Sequence, residues 1–304
     1  MPHFLPRFCL HWLLLGCSLL LPASAAAWNS NGHRLVASIA WLQLSPASRE
    51  LCQELLAQHP DFSRWQEKSR STDPAAIFAE AATWADDIRD DPRYYDEGRE
   101  PATPALPGLI DQRRHAQWHY LDLDANGQPT RGELDQRLEQ LFALLKQEAR
   151  TPTGVWALPW ILHLVGDLHQ PLHVGHAADG GGTRSEIENP LTPRQPFTSL
   201  HRYWDSLPGT STLRGRRLFS RSEQLLAAYP PPQALNVRAW RAESHSLLAQ
   251  VYPPEQGSLL PTISEAFHHQ ARQLAEQRLV AAGYRLGWQL ESLLTANLAR
   301  KRSR

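Results

Sequence analysis

The stretch Leu162-His163-Leu164-Val165-Gly166-Asp167-Leu168-His169-Gln170-Pro171-Leu172-His173 limits the possible folds more than any other part of the chain. It sets three His and one Asp among apolar residues. Ionisable groups in such surroundings lose their hydration, so each needs a partner. On a helix His163 and Asp167 project from one face, and Pro171 ends that helix just before His173. Leu200-His201-Arg202-Tyr203-Trp204-Asp205 repeats the His-x3-Asp spacing with His201 and Asp205. Two such pairs read as ligands for metal.

Arg7 precedes an apolar run from Leu10 to Leu21, followed by Pro22-Ala23-Ser24-Ala25-Ala26-Ala27. A basic residue, a short apolar core and small residues before a cut describe a secretory signal, here residues 1–27. The run is shorter than the roughly 20 apolar residues that span a bilayer, and no later segment is long enough. Leu14-Leu15-Gly16-Cys17 resembles a lipobox, but apolar residues continue beyond it to Leu21. The expected mature chain, residues 28–304, is exported and keeps one cysteine, Cys52, so it forms no internal disulfide. Packing, helped by metal, must then supply its stability.

Lys plus Arg and Asp plus Glu balance at 31 each, so no overall cationic field gathers nucleic acid and any affinity for phosphate is local. Apolar residues recur at three and four in Leu35-Val36-Ile39-Ala40 with Leu42, in Leu134-Leu138-Leu141-Leu145, in Trp160-Leu164-Leu168, and from Leu274 to Leu298. Strand-like alternation is scarce. Pro and Gly gather between these segments, at Pro101 to Gly108, Gly180 to Gly182, Pro190 to Pro196 and Pro230 to Pro232. No repeat or low-complexity linker divides the chain. The expected fold is all-α: one mostly helical domain with long irregular loops, in which residues four apart on facing helices converge on a shared centre.

Three further segments carry candidates. Cleavage after Ala27 frees an amine at Trp28, five positions before His33 in Trp28-Asn29-Ser30-Asn31-Gly32-His33. A neutral amine, the carbonyl of the same residue and an imidazole make most of a zinc shell; the bland reading is a core Trp28 with Asn29 or Ser30 capping a helix. Ala82-Thr83-Trp84-Ala85-Asp86-Asp87-Ile88-Arg89 offers Asp86 or Asp87, and Trp118-His119-Tyr120-Leu121-Asp122 offers His119 between large aromatics. A lone His in that setting is more often a hydrogen-bonded core residue than a ligand.

Together, Trp28 as a new terminus, Trp-Ala-Asp-Asp-Ile-Arg, Trp-His-Tyr-Leu-Asp, His-x3-Asp-x5-His and His-x3-Asp resemble, in order and spacing from Trp28 to Asp205, the zinc-dependent S1/P1 nuclease family. The resemblance implies the fold shared by phospholipase C and P1 nuclease and three zinc ions. Asp86, His119, His163 and Asp167 would hold one. The Trp28 amine and carbonyl, His33 and the shared Asp167 would hold a second, and His173, His201 and Asp205 a third. It implies Arg89 as the catalytic arginine beside Asp86 and Asp167, with Tyr120 stacking on a base and Asp122 bonding its edge. Asp179-Gly180-Gly181-Gly182-Thr183 resembles the family's glycine loop, with Thr183 where many relatives have Asn. Eukaryotic relatives carry disulfides that this chain cannot form, which fits a bacterial member.

By formal count, three dications against three ligand carboxylates leave a surplus of about three positive charges. That surplus suits a phosphodiester. The implied substrates are single-stranded DNA and RNA, cut to 5′-phosphate products, and 3′-nucleotides; stacking on Tyr120 needs an unpaired base. No stable protein partner is implied. Two alternatives stay open. One is a zinc-dependent phospholipase C on the same fold, although in those enzymes the first His lies farther from the leading Trp than the four intervening residues here. The other is a zinc-binding protein without turnover.

Overall fold

The structure is a computed structural model that describes residues 28–209, 213–254 and 260–302. The export segment expected over residues 1–27 lies outside the described residues. In chain order the elements are α1 (Ser30–Gln43), α2 (Pro46–Ala57), α3 (Phe62–Ser69), α4 (Pro74–Ala81), α5 (Trp84–Asp87), a 3-10 turn (Ala116–His119), β1 (Leu121–Leu123), β2 (Pro129–Gly132), α6 (Leu134–Glu148), α7 (Pro152–His169), a second 3-10 turn (Pro171–Val174), β3 (Glu186–Glu188), β4 (Phe197–Ser199), α8 (Leu200–Ser206), α9 (Gly215–Ala228), α10 (Val237–Ser246), α11 (Leu248–Val251) and α12 (Glu265–Arg302). The strands form two antiparallel hairpins, β1 with β2 and β3 with β4. The mostly helical fold is the one the apolar periodicity predicts.

Local chemistry sets the helix starts. Asn29 caps α1 by accepting from the backbone N–H of Asn31 and Gly32, and Ser45 caps α2 ahead of Pro46 at the first turn. Asp73 before Pro74 and Ser199 before Leu200 do the same for α4 and α8. The middle of the fold is α7, whose residues from Gly154 to His169 are all buried. A helix that is apolar all round must be enclosed, and α1, α2, α5, α6, α10 and α12 pack on it. α1 also lies along α12. Pro159 sits inside α7 without ending it, because neighbours on every side hold the helix together at the cost of one backbone bond. At Pro171 the outcome differs: Gln170 is extended, with ψ 115°, and the chain turns into the second 3-10 segment.

Cys52 is buried and unpaired, and burial pushes its thiol far above the ordinary range. Among the described residues no helix is long and apolar enough to cross a membrane.

Candidate metal centre

Five elements deliver the candidate residues to the C-terminal half of α7. His33 comes from the first turn of α1, Asp86 from α5, His119 from the end of the first 3-10 turn, His173 from the second, and His201 with Asp205 from α8. They gather into three groups: His33, His163 and Asp167; Asp86, His119 and His163; and His173, His201 and Asp205.

Ligand atoms around a tetrahedral zinc, at about 2.0–2.1 Å from it, stand about 3.3 Å from one another. The centre has that spacing. His119 Nδ1 and His163 Nε2 are 3.1 Å apart, His163 Nε2 and Asp167 Oδ2 3.3 Å, and His33 Nε2 and Asp167 Oδ1 3.4 Å. His173 Nε2 and His201 Nε2 are 3.2 Å apart, and His201 Nε2 is 3.5 Å from Asp205 Oδ2. Asp86 Oδ1 stands slightly wider, 3.7 Å from His163 Nε2 and 4.0 Å from His119 Nδ1. Asp167 therefore presents one oxygen to His33 and the other to His119 and His163.

The outer nitrogens fix three of the rings. His163 Nδ1–H donates to the Ala82 carbonyl at 2.8 Å, His173 Nδ1–H to that of His119 at 2.5 Å, and His201 Nδ1–H to that of Gly181 at 2.6 Å. Each bond puts the proton outside and leaves the Nε2 lone pair facing inward. His33 instead stacks on His163, with centroids 3.7 Å apart. Gly166 makes room for it: a Cβ there would come within 2.9 Å of His33 Nδ1 and 3.9 Å of Trp28 Cδ1. Trp28 is thus fully buried beside His33 and α7, and the next backbone N–H, that of Asn29, donates to the Asp205 carbonyl at 3.0 Å.

Electrostatics favour cation binding. Burial, with repulsion from neighbouring His and Arg, drives His33, His119 and His173 well below the ordinary imidazole range. These rings are therefore neutral, the form that ligates. Burial also pushes the Asp167 carboxyl up to about 6 and Asp205 well above the carboxylate range, a cost that an adjacent dication offsets. His33 Nε2, His119 Nε2 and Asp167 Oδ1 are buried without a hydrogen-bond partner. Buried polar atoms of that kind call for an explanation; a bound metal supplies one for those that face the centre. The donor set of imidazoles and carboxylates suits zinc.

The centre meets solvent at Asp86 and Arg89, whose side chains are 19% and 14% exposed and 3.1 Å apart, Arg89 Nη2 to Asp86 Oδ1. Tyr120 is the extended residue that ends the first 3-10 turn, and Asp122 follows two positions later in β1. Asp122 is buried and its carboxyl is raised by burial, partly countered by Arg131 and Arg184. Of the remaining histidines, His169 is locked into the fold: its Nδ1–H donates to the Val165 carbonyl and its Nε2 accepts from Arg285 Nη1 at 2.9 Å. His115 is 2.8 Å from Asp111 four residues earlier and stacks on Trp118.

Several supporting residues carry no local signal. Gln170 Nε2 donates to Asp205 Oδ1 at 3.0 Å while its Oε1 accepts from the Leu172 N–H, tying α7, the turn and α8 together. Buried Asp61 accepts from Trp84 Nε1, the Tyr94 hydroxyl and Arg93, anchoring the start of α5. Their partners lie far away in sequence, and only the folded chain brings them together.

A helical bundle wrapped around three adjoining His/Asp groups defines a class of proteins with a buried side-chain cluster able to hold metal. The family model for S1/P1 Nuclease matches residues 28–295, and the chain belongs to that family. Nuclease S1 of Aspergillus oryzae is 25% identical over 207 residues, which cover 62% of this chain and 59% of that protein, under two thirds of its length. Endonuclease 4 of Arabidopsis thaliana is 42% identical over 60 residues, 19% of this chain and 18% of its own. Endonuclease 2 of the same plant is 44% identical over 50 residues, 16% of each.

Proposed function

We propose that residues 28–304 form an exported phosphodiesterase that uses three zinc ions to hydrolyse single-stranded DNA and RNA to 5′-phosphate products, and that it also removes phosphate from 3′-nucleotides. The observation that carries this reading is Asp167, buried, with one oxygen towards His33 and the other towards His119 and His163. A carboxylate so placed would be able to serve two cations, and paired cations suit phosphoryl chemistry. Membership of the S1/P1 family and the names of the relatives support nucleic acid as the substrate.

Asp86, His119, His163 and Asp167 would hold one ion; the Trp28 amine and carbonyl, His33 and Asp167 a second; and His173, His201 and Asp205 a third. Zinc in such sites supplies Lewis-acid polarisation of phosphoryl oxygens and acidifies water. The chain's own groups do the rest. Arg89, held by Asp86, offers its guanidinium to charge developing on the phosphoryl oxygens. Tyr120 offers a ring for an unpaired base and Asp122 an acceptor for the base edge. The match of the family to Trp28 onward and the apolar run before it support removal of residues 1–27.

Cleavage of single-stranded and duplex DNA by the purified mature chain, before and after chelation and alongside elemental analysis, tests the proposal. Loss of single-strand cleavage on chelation and recovery with zinc is expected. Phosphocholine release without DNA cleavage would assign a phospholipase C instead, and stoichiometric zinc with no product a zinc-binding protein. Full activity with an extra residue before Trp28 would remove the terminal amine from the ligand set.

A further inference from the structure

Arg131, on β2, lies beside both groups of the suggested base site and takes no part in the metal centre. Its Nη2 donates to the Tyr120 hydroxyl at 3.1 Å, and its Nη1 stands 3.9 Å from Asp122 Oδ2. The guanidinium carbon is 5.6 Å from the Tyr120 ring centroid. That is within cation–π reach of about 6 Å, with the arginine drawn towards the hydroxyl end of the ring by its hydrogen bond. Asp122 is 5% exposed while Arg131 is 62% exposed: a fixed acceptor stands next to a movable donor fork.

We propose that Asp122 and Arg131 together make the base site selective for guanine. The inference rests on the reading of Tyr120 and Asp122 given above. An ionised carboxylate offers only acceptors, and guanine is the base with two adjacent donors, N1–H and N2–H, on its pairing edge. Beside those donors guanine carries O6 and N7, the pair of acceptors that an arginine fork reads. Adenine presents a donor and an acceptor to the same two residues, and cytosine and uracil present a single N–H donor group each. The gap between Asp122 and Arg131 is too wide for a closed hydrogen-bonded ion pair, so both retain capacity for one base edge. A guanine on Tyr120 would then meet an acceptor and a movable donor that stand 3.9 Å apart.

Equilibrium binding of guanosine and adenosine to the zinc-loaded protein tests this, since neither nucleoside has a phosphate to hydrolyse. The expected result is guanosine bound about tenfold or more tightly than adenosine, as one good bidentate contact provides. Arg131→Gln should lower that ratio to what Asp122 alone provides, and Asp122→Asn, which presents a donor and an acceptor, should shift it towards adenosine. Equal binding of the two nucleosides by the unaltered protein, or a ratio that neither substitution moves, overturns the inference. If single-stranded DNA is still cut in that case, the proposed function stands and guanine selectivity alone fails. If neither nucleoside binds and no strand is cut, the function itself is wrong.

Discussion

At the scale of single residues, the centre depends on atoms that do two things at once. Asp167 is the clearest case, because its two oxygens face different histidines. Asp167→Asn keeps the shape and removes the charge, so elemental analysis should find more than one ion lost per chain. Strand cleavage should fall on the order of a hundredfold or more, since even residues behind a metal ligand are worth 10- to 100-fold. Asp205→Asn should lose a single ion. Equal metal loss in the two variants would refute the bridging role proposed for Asp167. Gly166 tests packing instead. In an exposed helix a Gly to Ala change gains about 1 kcal/mol, but here the added Cβ would meet His33 Nδ1 at 2.9 Å. Overpacking of that kind costs about 1–3 kcal/mol. Gly166→Ala should therefore melt at a lower temperature, and a rise would mean that His33 yields without cost.

Between elements, the junction of α2, α3 and α5 shows how distant groups hold a site residue in place. His59 stacks on Trp65, meets Trp84 edge-on, and accepts from the Asp61 N–H through Nδ1 at 3.1 Å. That bond needs a neutral ring, and burial, with Arg93 nearby, pulls His59 down to about 4 against the attraction of Asp61. A free histidine titrates near 6.5, so between about pH 6.5 and 4 the unfolded chain takes up a proton that the folded chain refuses. Stability then falls as the pH drops through that window, by about 3 kcal/mol from this residue. His59→Gln retains an acceptor and cannot protonate. Thermal melts across the window should show a shallower loss for the variant, and parallel curves would exclude His59 as a source. None of this junction was legible in the sequence, because His59, Asp61, Trp84 and Tyr94 show no shared period. The His-x3-Asp pairs were legible, since one helical turn fixes both members of each. Pro159 and Pro171 mark the same limit: they are chemically identical, yet enclosure carries α7 through the first and not the second.

For the whole molecule, the question is what balances so many ionisable groups at its middle. Helical class, loop positions and the two His-x3-Asp pairs could be read from local spacing. The three-way junction of His163, Asp167 and their neighbours could be approached only through family likeness, because Asp86 and His119 come from segments before α7 and Asp205 from one after it. Without cations, that region holds carboxyls driven up by burial and polar atoms lacking partners. With no disulfide among the described residues to share the load, metal binding should account for much of the stability. A site filled at a hundred times its dissociation constant contributes about 2.7 kcal/mol. Three such sites approach the roughly 5–15 kcal/mol by which whole domains are stable. Chelation should therefore lower the melting temperature by about 10 °C or more, and zinc should restore it without any substrate present. If the melting curve does not move when all metal is removed, buried histidines and carboxylates must be satisfying one another, and the cluster is a structural polar core.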